Sequence, residues 1–157
     1  MSILDTGAGT AFTESRERAE LRKAVAALAA GFGRDYFVRC AREGHKTDEL
    51  WSAVSKLGYI GVAVPEEYGG GGGGIGDLAV VCEELSAAGC PLLMIVVSPA
   101  ICATTIGSSG TPEQKRRWLP GLADGSQKMA FSITEPDAGS NSHASRPRQA
   151  ETARTGC

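Results

Sequence analysis

The apolar positions recur with a helical period from the first turn of the patterned region, where Leu21, Val25, Leu28 and Phe32 form one stripe between charged residues. Thr13 reads as the N-cap, and Glu14 and Glu17 stand in the first turn, where the helix dipole favours anions. Gly31 and Gly33 end or bend this helix, and Asp35 to Arg42 can continue it. A second helix is expected from Asp48 to Leu57, capped by Thr47, with Leu50, Trp51, Val54 and Leu57 on one face and Gly58 after its end. A third runs from Asp77 to Ala88 with Leu78, Val81, Cys82 and Leu85 inward, ended by Gly89.

Pro91 opens a fourth, almost wholly apolar helix containing Leu92, Ile95, Val96, Ile101 and Ile106, with Pro99 as an interruption or kink. A helix apolar on all sides is either central in a bundle or lines a cavity. Thr111-Pro112-Glu113-Gln114 is the clearest helix start, with Thr111 as cap, Pro112 at N1 and Gln114 completing a capping box. Trp118 and Leu119 face inward, Pro120 ends this helix, and Gly121 to Lys128 is a turn region. The pattern to residue 128 predicts an all-α chain, an up-and-down helical bundle. Met129 to Ile133 then reads as a strand or buried extended segment, broken by a turn rich in hydroxyls, Pro, Asp and Gly.

Composition narrows the function classes. The 157 residues suffice for one domain with a real core, and 42% apolar with 22% charged is ordinary for a globular protein. A net charge of −2 gives no basic face for nucleic acid. The longest apolar stretch, Pro91 to Val97, is far below the roughly 20 residues that span a bilayer, and Met1 to Thr10 lacks a signal-peptide pattern, so the expectation is a cytoplasmic protein without membrane partners. The five cysteines are scattered, with no Cys-x-x-Cys pair and no histidine at ligand spacing, which argues against a metal site or disulfide framework and for free buried thiols.

Six consecutive glycines, Gly69 to Gly74, formally satisfy the dinucleotide fingerprint. A homopolymer matches any glycine pattern, no strand directly precedes the run, and no acidic residue lies at the right distance beyond it. A flexible loop is the better reading, with dinucleotide binding the weakest alternative.

Phe131-Ser132-Ile133-Thr134-Glu135-Pro136-Asp137-Ala138-Gly139-Ser140-Asn141 presents amides and small polar side chains at the end of an apolar element, a place suited to gripping the polar edge of a flat ligand. The stretch resembles the Thr-Glu-Pro-x-Ala-Gly-Ser-Asp signature of the acyl-CoA dehydrogenase family, with Asn141 in place of the usual Asp and Ser132 where a smaller or less polar residue is common. Gly58 to Gly70, with its Pro65-Glu66-Glu67-Tyr68-Gly69-Gly70, and the Glu113-Gln114-Lys115 helix with Trp118-Leu119-Pro120 are similar to the same family in content and order.

The resemblance covers roughly residues 12–143. It implies FAD as cofactor, with contacts at Phe131, Ile133, Thr134, Gly139 and Ser140, and Ser140 also touching an acyl-CoA thioester substrate. It implies α,β-dehydrogenation of that thioester, an electron-transfer flavoprotein as acceptor and a homo-oligomer, with residues 129–143 as the start of a flavin-contacting β segment. The family's proton-abstracting Glu belongs to a later domain, so no catalytic residue is assigned here. Glu135 reads as structural and His143 as a surface histidine.

Residues 144–157 lack large apolar residues and periodicity and read as a disordered, aberrant tail, as residues 1–11 read as a flexible N-terminus. The expectation is a helical domain spanning 12–128, in a chain truncated or frameshifted after about residue 143, catalytically impaired and bearing the first strand of a missing β-barrel domain. The competing reading is a non-catalytic helical remnant or interaction module without cofactor.

Overall fold

The structure is a computed structural model and describes residues 14–141 and His143. Helix α1 (Arg16–Ala30) is capped by Ser15, which has extended backbone and accepts the Arg18 amide at 3.2 Å. The cap is therefore Ser15 in place of Thr13, which lies outside the described residues; a side-chain oxygen reaches the third helical amide only from the residue directly before the helix. At Gly31 the chain breaks, and α2 (Gly33–Glu43) is a separate helix that ends at Gly44 in the left-handed region. Thr47 does precede α3 (Asp48–Lys56), but its backbone is not extended and its hydroxyl makes no capping bond.

Val25 and Ala29 of α1 pack against Leu78, Val81 and Leu85 of α4 (Ile75–Ala87), and Leu50, Trp51, Val54 and Ile60 close the same cluster. Cys82, placed on the inner face by its spacing, is only partly buried. At the rim of the α1–α4 contact Arg22 pairs with Glu14, Glu83 and Glu84, and Arg18 Nε donates to Asp77 at 2.9 Å.

Asp77 accepts the Gly74 amide at 2.8 Å as well, and this bond, with the Arg18 contact, holds its carboxyl below the usual aspartate range. A lowered folded value stabilises the native state above the unfolded pKa of about 4 and loses that contribution as pH falls through the folded value. Asp77→Asn is expected to melt below the parent at neutral pH, with the gap closing as pH drops below about 4 in thermal melts. A gap that stays constant down to about pH 3 counts against this linkage.

The glycine run is an ordered loop. Gly70, Gly71, Gly72 and Gly73 donate their amides to the carbonyls of Pro65, Gly61, Val64 and Val62, at 2.9–3.2 Å. A Cβ on Gly70 would stand 2.1 Å from the Val64 carbonyl oxygen, so glycine here permits backbone to lie on backbone. The expected flexibility is corrected by these bonds: composition makes the run supple, but the 61–65 segment beneath it supplies partners.

The apolar stretch forms a continuous rod of α5 (Leu93–Ile95), a π-helical segment (Val96–Ala103) and α6 (Thr104–Ser109). Pro99 sits inside the π segment and does not break the rod. Ile95 belongs to the first cluster, whereas Ala103 joins Val64, Leu119, Leu122 and Ala123 in a second. Helix α7 (Pro112–Ala123) starts as expected, with Thr111 and Gln114 exchanging capping bonds at 2.8 and 3.2 Å. It does not stop at Pro120. The ring is exposed, the Asp124 amide still reaches the Pro120 carbonyl at 3.1 Å, and the next turn buries Leu122 and Ala123, which outweighs one lost amide donor.

Helices thus build the domain, as the periodicity requires. The expected strand does not form: among the described residues there is one isolated bridge, Glu135 with Ala138, and no ladder. Residues 129–134 take no regular secondary structure and lie beside no second strand, and a lone segment has nothing to pair with. No helix among the described residues is long and apolar enough to cross a membrane.

Candidate functional site

Met129 begins the segment that carries the sequence-derived site. Its side chain packs on the second cluster, and its amide donates to the buried Ser98 Oγ at 3.0 Å. From Ala130 to Thr134 no hydrogen bond to the rest of the described chain is formed, which leaves a run of unengaged amides and carbonyls. Phe131 and Ile133, expected in a buried setting, are about half exposed, at 49% and 50%. The expected burial is corrected because no described element lies over them.

Pro136 and Asp137 then turn the chain. The Glu135 amide donates to the Ala138 carbonyl at 2.8 Å, and the Ala138 amide returns the bond at 3.2 Å. This reversal sends Gly139 and Ser140 away on the side from which Thr134 enters, so the five candidate residues flank one tight turn, all exposed. Nothing lies within 4 Å of a Cβ placed on Gly139, so the chain's own packing does not demand glycine there. Glu135 is half-buried in the turn, and His143 is exposed, as expected of a surface histidine.

An open cavity of about 420 Å³ lies beside Met129, with walls from Thr105, Ile106, Gln114 and Trp118. Along the rod, Leu93, Met94, Val96 and Ile101 are exposed, in contrast to the buried Ile95, Ser98, Pro99 and Cys102. The rod therefore has one packed and one exposed apolar face, so it is not the fully enclosed central helix that an all-round apolar pattern allows.

Other chemistry is weaker. The glycine-run amides are engaged by carbonyls, and Gly74 by Asp77 Oδ2, so they are not presented to a phosphate as a dinucleotide site requires. Burial raises the thiol pKa values of Cys82, Cys90 and Cys102, which keeps them protonated and poor nucleophiles. Ser98 was missed by motif reading. Its signal was a hydroxyl on an otherwise apolar helical stripe, which must find a buried partner.

The family model described as Acyl-CoA dehydrogenase, N-terminal domain, matches residues 15–126. The chain belongs to the acyl-CoA dehydrogenase family. It is 59% identical over 134 residues to acyl-CoA dehydrogenase FadE12 of Mycobacterium tuberculosis, covering 85% of this chain and 34% of that protein. The chain thus spans about a third of the length of the curated relatives it matches, the part that carries the acyl-CoA dehydrogenase N-terminal helical domain. Its fold is similar to a glutaryl-coenzyme A dehydrogenase in complex with glutaryl-CoA, with a TM-score of 0.77 and 29% identity over 85% of this chain and 35% of that one. An acyl-CoA dehydrogenase of Bacillus anthracis complexed with FAD is similar with a TM-score of 0.73 and 30% identity, over 84% of this chain and 23% of that one.

Proposed function

We propose that the chain forms the helical wall of an FAD-dependent acyl-CoA dehydrogenase site, and that the wall holds the cofactor through residues 131–140. The carrying observation is the exposed, hydrogen-bond-free backbone from Ala130 to Thr134 beside the Pro136-Asp137 turn. Its residues fit a flat ring with a polar edge. Phe131 and Ile133 offer apolar surface, Thr134 offers a hydroxyl, and Gly139 has open space for close approach.

When bound, FAD would supply hydride acceptance from the β-carbon of an acyl-CoA thioester, the electrons passing to an electron-transfer flavoprotein. The protein's own contribution is orientation. The Thr134 hydroxyl and the neighbouring unengaged amides are the donors the chain offers where charge would develop. Phe131 and Ile133 exclude water from that edge, and Ser140 is the group offered to the thioester.

By itself the wall is half a site, since the described residues leave these side chains open to solvent. In a titration followed by flavin fluorescence, the 157-residue chain is expected to bind FAD saturably but to reduce no dye with any acyl-CoA. Phe131→Ala should weaken FAD about tenfold, the loss of roughly one aromatic stacking contact. Absence of saturable binding would refute the cofactor reading, and dye reduction would refute the half-site reading. The second reading, a helical module that works by association, is favoured by the open apolar face of Leu93, Val96 and Ile101. A colourless, defined oligomer in size-exclusion chromatography would support it over the first.

A further inference from the structure

We infer that Ser98 is a positioning residue: its hydroxyl, set in the π-helical segment, fixes the start and heading of residues 129–134. The inference deepens the cofactor reading and rests on it only for the consequence in FAD binding. Ser98 is 1% exposed and is the buried polar side chain of the core among the described residues. It stands on the inner stripe of the rod with Ile95, Pro99, Cys102 and Ala103, all buried. A hydroxyl in such a stripe is costly unless it is bonded, and its bond is to the Met129 amide at 3.0 Å.

The backbone explains how the hydroxyl comes to be there. Pro99 has no amide hydrogen, and in a regular α-turn its ring would crowd the carbonyl four residues before it. The Val96–Ala103 segment is wound as a π-helix, whose wider turn accommodates the ring and lets the adjacent Ser98 and Pro99 both face inward. Proline and serine therefore act together: one opens the turn, the other uses it to catch a neighbouring chain.

What is caught is the foot of an otherwise unsupported arm. Ala130 to Thr134 make no hydrogen bond to the described chain, so the anchored group nearest to them on the side of the helical body is the Met129 amide. Phe131 follows Met129 by two residues and Thr134 by five, so the position and heading of Met129 set the point from which they run. An anchor at the foot thus decides where Phe131, Ile133 and Thr134 stand, although Ser98 itself touches none of the groups they would meet.

The test compares the full parent chain with Ser98→Ala, Ser98→Cys and Ser98→Thr by amide hydrogen exchange and by FAD titration. Loss of the hydroxyl in Ser98→Ala should speed exchange at Met129 by about tenfold or more, with α1 and α4 amides changing by less than about threefold. FAD affinity should fall about tenfold in Ser98→Ala and return in Ser98→Thr, which keeps the acceptor. Ser98→Cys, close to serine in volume but a weaker acceptor, carries the same comparison if the alanine variant does not fold. Unchanged Met129 exchange in the alanine or cysteine variant would overturn the inference. So would acceleration spread equally over α1 and α4, or a threonine variant no better than alanine. A parent chain that binds no FAD would refute the cofactor reading, and the exchange comparison would still decide the role of Ser98.

Discussion

Trp51→Ala is expected to destabilise the domain by about 3–5 kcal/mol in urea denaturation, a large share of the 5–15 kcal/mol that small domains possess. Trp51 is 7% exposed and belongs to the first cluster, so its removal leaves a cavity in that cluster. Its indole Nε1 donates to the Gly125 carbonyl at 2.9 Å, tying α3 to the turn after α7. Lys128 Nζ stands 4.6 Å from the ring centroid and also pairs with Asp48. Trp51→Phe keeps most of the volume but strands the buried carbonyl, and should cost about 1–3 kcal/mol. Equal losses for the two variants would show that packing carries little of the effect.

Gly61→Ala is the second large effect, expected at about 3 kcal/mol, at the upper end for overpacking. A Cβ on Gly61 would stand 2.4 Å from the Ala123 carbonyl oxygen and 2.9 Å from the Ala123 Cα. These are backbone atoms of α7 and cannot rotate aside as a side-chain tip can. The Gly61 carbonyl also accepts the Val64 and Gly71 amides, so a shift there disturbs the bed of the glycine loop. Gly107→Ala is the control. Nothing lies within 4 Å of its Cβ position in α6, and alanine should be neutral or stabilising by up to about 1 kcal/mol. A Gly61→Ala protein with parental urea midpoint would show that the loop and α7 are not in firm contact.

Both effects concern contacts between segments far apart in sequence, and here the local pattern was least informative. Pro120 illustrates this: proline stops a helix when only local bonds count, yet α7 continues because Leu122 and Ala123 find a core. The glycine run does the same in reverse. Local chemistry makes it supple, and the 61–65 carbonyls order it. Met129 to Ile133 has strand-like residues, but pairing is a property of two segments and the described chain supplies one.

What the sequence by itself determined is the helical class, the capping box at Thr111 and Gln114, the inward faces of α1 and α4, and the family, through the Gly58 to Gly70 and Glu113 to Pro120 segments together with the Thr134 to Ser140 motif. Each is set by residues close together in the chain, where period, cap chemistry and turn propensity act directly. Tertiary structure alone decided that Ser98 meets Met129, that Trp51 reaches Gly125, and that Phe131 and Ile133 stand exposed on an arm anchored at its foot. Those facts depend on which distant surfaces pack together, and packing is settled by the summed fit of the whole core, not by any one stretch of it.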